Sequence, residues 1–96
     1  MTTEEEIFQL LDAGKSFYYC DSRTDYGQTQ NLEFVLRRTA DGYLITWERW
    51  FDGETTSGSE LKQRADAIQF LCGRYPVLFT PDYVLQSLRR STRDTA

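Results

Sequence analysis

Leu32-Glu33-Phe34-Val35-Leu36-Arg37-Arg38-Thr39-Ala40-Asp41-Gly42-Tyr43-Leu44-Ile45-Thr46-Trp47-Glu48-Arg49-Trp50-Phe51 is the stretch whose reading decides the fold. Two runs rich in aliphatic and aromatic residues flank Asp41-Gly42, a dipeptide suited to the positive φ angles of a tight hairpin turn. Strand alternation puts Leu32, Phe34 and Leu36 on one face of the first arm, while Tyr43, Ile45, Trp47 and Phe51 share one parity in the second. A two-residue Asp41-Gly42 turn pairs Ala40 with Tyr43, Leu36 with Trp47 and Leu32 with Phe51, so that both apolar sets meet on one face. A four-residue turn keeps that agreement. A three-residue turn would set Leu36 against Thr46 and split the core. The other face then carries Glu33, Val35, Arg37, Leu44, Glu48 and Trp50.

Upstream, Thr3-x-x-Glu6 has the form of a capping box, and Ile7, Phe8 and Leu11 fall on one helical face before Gly14. The spacing predicts a helix over about residues 4–13. Ser16-Phe17-Tyr18-Tyr19-Cys20-Asp21 reads as a first strand, and the polar, aperiodic run Asp21 to Asn31 as a surface loop. Downstream, Asp52-Gly53 ends the hairpin's second arm. The Thr55-Thr56-Ser57-Gly58-Ser59 cluster leads into a helix with Leu61, Ala65, Ile68 and Cys72 at helical spacing, stopped by Gly73 and Pro76. Val77-Leu78-Phe79 suits a short strand or a packed connector. Thr80-Pro81-Asp82 signals the start of a last helix with Val84, Leu85 and Leu88 inward. The predicted fold is α+β: an antiparallel sheet of three strands, with room for a short fourth, and about three helices in the order α-β-β-β-α-(β)-α.

Composition narrows the function classes. A chain of 96 residues is expected to form one domain over 1–96, with 91–96 frayed, and its 14 aromatic residues are too many for a disordered chain. The acidic start Met1-Thr2-Thr3-Glu4-Glu5-Glu6 and the absence of a long apolar run lead to the expectation of a cytoplasmic protein without a membrane partner. There is no histidine, which removes imidazole-based triads, histidine-bearing zinc sites and the commonest proton shuttle. Cys20 and Cys72 have no disulfide or zinc spacing and read as reduced, partly buried thiols. Asp21 to Glu33 is rich in oxygen ligands, but Arg23 and Tyr26 stand at the third and sixth positions of a calcium loop, where an oxygen ligand and glycine belong. Glu4, Glu5 and Glu6 oppose the positive end of a helix dipole. No catalytic residue, metal-ligand set or cofactor site is assigned on these grounds.

The charge of −4 is unevenly spread: residues 1–60 carry minus seven and residues 61–96 plus three. Arg89, Arg90 and Arg93 gather at the end of the last helix. There they complement the helix dipole or meet an anionic partner. The order helix, three strands, helix resembles the double-stranded-RNA-binding domain over about residues 4 to 72. Ser57-Gly58-Ser59-Glu60-Leu61-Lys62-Gln63-Arg64-Ala65 lies where that family places its basic helix start. The resemblance implies nucleic-acid binding, for which this chain offers Lys62 and Arg64, with Arg89, Arg90 and Arg93 added from the last helix.

Trp50 has the wrong parity to join Trp47 and Phe51 in the core, so it lies under another element or on an open face. With Val35, Arg37 and Leu44 it makes an apolar patch edged by charge, the composition of interface hot spots, and Tyr26 with Arg23 extends it into the neighbouring loop. The leading expectation is a non-catalytic protein–protein interaction module, an adaptor, inhibitor or regulatory subunit. Nucleic-acid binding is the alternative, and a small enzyme using carboxylates and tyrosines is the second alternative. The hairpin edge carries only scattered charges against self-pairing, which leaves a homodimer open.

Overall fold

The computed structural model describes residues 2–25, 27–74 and 79–90. The elements run α1 (Thr3–Asp12), β1 (Phe17–Asp25), β2 (Gln28–Thr39), β3 (Gly42–Phe51), β4 (Glu54–Lys62), α2 (Arg64–Arg74) and α3 (Pro81–Arg90). The strands form one antiparallel meander in the order β1-β2-β3-β4, and the fold is α+β as expected.

The fourth strand is not where the sequence placed it. Residues 54–62 extend the sheet as β4, and the helix expected to include Leu61 begins only at Arg64. The cause is the Asp52-Gly53 turn, in which both residues take positive φ, 49° and 81°, the combination that reverses a hairpin in two residues. Thr55 and Thr56 then pair with Trp50 and Arg49 across the ladder. The helix starts at Arg64, leaves Leu61 exposed in β4, contributes Ala67, Ile68 and Leu71 to the core, and runs through Gly73 to Arg74. A strand in the position of Ser57–Ser59 also removes the likeness to the double-stranded-RNA-binding domain, whose helix would begin there. Of Val77-Leu78-Phe79, the first two lie outside the described residues and Phe79 is buried.

The expected loop over Asp21 to Asn31 is a hairpin as well. β1 runs on to Asp25 and β2 begins at Gln28, with Cys20 opposite Glu33 and Thr24 opposite Thr29. The hydroxyls of Thr24 and Thr29 lie 3.4 Å apart, and such cross-strand pairs let a polar segment hold strand geometry. The central hairpin keeps the expected faces but slides by two residues. Ala40 and Asp41 form the turn, Thr39 pairs with Gly42, Leu36 meets Ile45 and Phe34 meets Trp47. Gly42 is needed inside the strand: its φ is 154°, and a Cβ there would come within 2.9 Å of the Lys62 carbonyl oxygen.

The helices all pack on one face. Ile7, Phe8 and Leu11 of α1, Ala67, Ile68 and Leu71 of α2, and Val84, Leu85 and Leu88 of α3 close over Phe17, Phe34, Leu36, Tyr43 and Ile45. Phe79 joins them with edge-on contacts to Phe17, Tyr19 and Phe34 at ring-centroid distances of 5.0–5.5 Å. The capping box of α1 sits one residue earlier than expected. Glu5 N–H donates to Thr2 Oγ1 and Thr2 N–H donates to Glu5 Oε2, both at 3.2 Å. The start of α3 is as the sequence implies, with Tyr83 N–H donating to Thr80 Oγ1. Phe51, expected in the core, is 40% exposed because β3 extends beyond the reach of the helices.

Candidate functional site on the open sheet face

The register sorts the second face into cross-strand rows. Tyr18, Val35, Thr46 and Ser59 form one, Cys20, Glu33, Glu48 and Ser57 the next, and Ser22, Asn31, Trp50 and Thr55 a third. Arg37, Leu44 and Leu61 make a further row beyond the first. Among the described residues, no helix packs on this face. Val35, Arg37, Leu44 and Trp50 are half-buried, Leu61 is 47% exposed, and Cys20, Glu33 and Glu48 are exposed. The expectation that Cys20 is partly buried is thus corrected: its parity points it away from the helices, so nothing covers the thiol among the described residues.

Val35, Leu44 and Trp50 share this face but not one contiguous patch. From the Val35 row to the Trp50 row is four residues, about 13 Å at strand rise, and the acidic row lies between them. The slide in register created that row. With Leu36 opposite Trp47, Glu33 would have faced Trp50; with Leu36 opposite Ile45, Glu33 faces Glu48 directly. Directly opposed like charges cost a sheet stability. The three rows centred on them contain no Lys or Arg to offset the charge. Glu33 accepts a hydrogen bond from the Tyr18 hydroxyl at 3.2 Å. The Tyr18 phenol titrates above its ordinary value, first because burial strips hydration, then through its hydrogen bond to Cys20 and the Glu33 charge.

Two shallow grooves meet at the carboxylates. One of about 730 Å³ is lined by Cys20, Thr29, Asn31, Glu33, Glu48 and Trp50. The other, about 340 Å³, is lined by Glu33, Thr46, Glu48, Ser57 and Ser59. Together they form an open trough with carboxylates at its middle, the Trp50 indole at one end and the hydroxyls of Thr46, Ser57 and Ser59 at the other, with Val35 in the same row as Thr46. Its chemistry is that of a cation flanked by apolar surface: carboxylates accept charge-assisted hydrogen bonds, and an indole beside them accepts a cation on its π face. Among the described residues, no group of three or more acids and thiols has the arrangement of a metal site.

The remaining sequence-derived candidates lie elsewhere. Arg23 sits in β1 opposite Gln30, in register with Phe51 and so with the parity of the helix-covered face and not that of Trp50, and Tyr26 is outside the described residues. Of the five bases considered for nucleic acid, Arg93 is outside the described residues and Arg90 is exposed on α3. Lys62 approaches Glu60 at 3.9 Å and lies over the Phe70 ring. Arg64 bridges to Asp12 at 2.8 Å, and Arg89 pairs with Glu6. Each of these three is set against an acid, which offsets the field a phosphate would feel. The Asp12 carboxylate also accepts a 2.7 Å hydrogen bond from the Tyr43 hydroxyl, so the Arg64 pair belongs to the seam between α1, β3 and α2.

Tyr18, Cys20 and the facing pair of Glu33 and Glu48 were not singled out as site residues from sequence. Their signal lay in the turn lengths. Two-residue connections at Ala40-Asp41 and between Asp25 and Gln28 bring them into adjacent rows. No protein-family model, characterised protein or solved structure matches the chain.

Proposed function

We propose that this chain is a non-catalytic protein-interaction module, of the adaptor, inhibitor or regulatory-subunit kind, and that it binds another protein through the open face of its sheet. The observation that carries the reading is the one-sided packing of the helices, which leaves Trp50, Val35 and Leu44 uncovered around a directly opposed Glu33–Glu48 pair. A partner that sets a basic side chain between the carboxylates and apolar side chains on either flank would relieve the like-charge contact and cover the indole. Both contributions are absent from the free chain. The open trough and exposed carboxylates favour recognition over chemistry that requires an enclosed, water-poor site. No helix among the described residues is long and apolar enough to cross a membrane, which is compatible with a partner in aqueous surroundings.

The test is affinity capture from the source cells with the wild-type chain, Trp50→Ala and Glu33→Lys/Glu48→Lys as parallel baits. The expected result is a protein recovered by the wild type and lost by both variants. Recovery of the same proteins by all three baits, or of none by the wild type, overturns the reading.

A further inference from the structure

The edge of the sheet carries a second interaction surface, formed by backbone groups beside the open face. β4 is an outer strand, with β3 on one side and, among the described residues, no strand on the other. Every second residue of such a strand turns its N–H and C=O away from the sheet, and an uncovered edge is a template for another strand. Edges are commonly blunted by proline, a bulge or central charges. β4 has none of these over Glu54–Lys62: its pairing with β3 is unbroken for nine residues, and the central run Thr55-Thr56-Ser57-Gly58-Ser59 is uncharged.

We propose that β4 pairs with β4 of a second copy of this chain, antiparallel about a two-fold axis through Gly58, joining two sheets into one of eight strands. The charges select the register. A two-fold axis normal to the sheet places a residue opposite itself, and only a few centres are available. Centred on Gly58, Glu54 of each copy lies opposite Lys62 of the other, Thr56 opposite Glu60, Thr55 opposite Leu61 and Ser57 opposite Ser59. Both ends of the joint then carry an opposite-charge pair, and exposed Leu61 gains a neighbour. Centred on Ser57, Glu54 opposes Glu60 twice. Centred on Ser59, the ladder shortens and no opposite charges meet. Glu54 and Lys62 follow the parity of the helix-covered face, opposite Phe51 and Tyr43, so their pairing leaves the trough untouched. The two open faces end up on the same side of the joined sheet.

The register makes a complementation experiment decisive. Sedimentation of the wild-type chain from low micromolar to near-millimolar concentration should show a species of twice 11.3 kDa. Glu54→Lys alone sets lysine against lysine at both ends, and Lys62→Glu alone sets glutamate against glutamate. Each should weaken self-association by roughly tenfold or more. An equimolar mixture of the two variants restores opposite charges at both ends and should dimerise like the wild type. Circular dichroism of each variant checks that the monomer is folded, and Ser57→Lys/Ser59→Lys, at two exposed positions, supplies a second means of blocking the joint. A wild type that stays monomeric throughout, a dimer indifferent to both single charge reversals, or a mixture that behaves as the sum of its parts overturns the proposal.

Discussion

The two faces of this sheet are built by the same strands from residues that alternate one by one, yet they meet opposite fates. On the covered face, Phe34 is 1% exposed and Leu36 and Ile45 are fully buried, with nine residues from three helices closing over the strands. On the open face, the adjacent positions Glu33, Val35 and Leu44 remain in contact with solvent, and two carboxylates stand directly opposed. One face is arranged for stability, and the other tolerates a local cost to it. A surface carrying indole and like charges side by side has the features of a recognition surface.

The largest effect that separates the faces is aromatic truncation. Phe34→Ala should cost about 3–5 kcal/mol in equilibrium urea unfolding, because it opens a cavity among Phe79, Leu36 and the helices. Trp50→Ala should cost less than about 1 kcal/mol. Equal losses would mean that the open face is a second core layer.

Added volume gives the next contrast. A Cβ on Gly58 would fall 2.4 Å from the Trp47 ring, so Gly58→Ala should destabilise by about 1–3 kcal/mol, and a smaller residue at Trp47 should recover at least half of that loss. Ser57→Ala and Ser59→Ala, on either side but facing outward, should change stability by about 0.5 kcal/mol or less. A penalty for Gly58→Ala that persists after Trp47 is reduced would place its cause in the backbone.

The two thiols report on the same division. Cys20 is exposed on the open face, whereas Cys72 is half-buried on α2, and burial, with a smaller contribution from the Glu4 charge, holds its thiol above the ordinary value. A disulfide reagent near neutral pH should titrate Cys20 at least about tenfold faster than Cys72. The raised value also fixes a sign. Folding favours the neutral Cys72 thiol, so that contribution is intact below the unfolded thiol's pKa and is lost as pH rises through the folded one. Cys72→Ala should therefore flatten the alkaline limb of the stability curve. An unchanged limb would assign it to other groups.

The smallest effect is a gain. Glu48→Gln removes the charge opposite Glu33 and should raise stability by a few tenths of a kcal/mol, up to about 1, while weakening capture of the partner. A loss of stability would show that Glu48 contributes to the fold of the free chain.

Much of the architecture was legible in the sequence because burial writes a period into it. The 3.6-residue spacing of Ile7, Phe8 and Leu11, the Thr80-Pro81 start of α3, and the parity of Phe34, Leu36, Tyr43 and Ile45 all led to elements found in the structure. What misled was polar sequence in strands. Thr-Thr-Ser-Gly-Ser in β4 lies at an edge and buries little, so no alternation marks it, and the Asp52-Gly53 turn was its main signal. The polar residues of Asp21–Asp25 and Gln28–Asn31 carry the same ambiguity. The site depended on a finer quantity. Parity alone fixes the face of Glu33 and Glu48, but a slide of two residues preserves every face while exchanging every neighbour, and only the turn at Ala40-Asp41 sets the carboxylates opposite one another.

Hydroxyl-radical footprinting of the isolated chain tests most directly whether one face is open. Rapid oxidation is expected at Tyr18, Cys20 and Trp50, with Phe34 and Tyr43 protected on the same strands or their neighbours. Protection of Trp50, Val35 and Leu44 as complete as that of Phe34 would mean that both faces are covered, and the proposed docking surface would be lost.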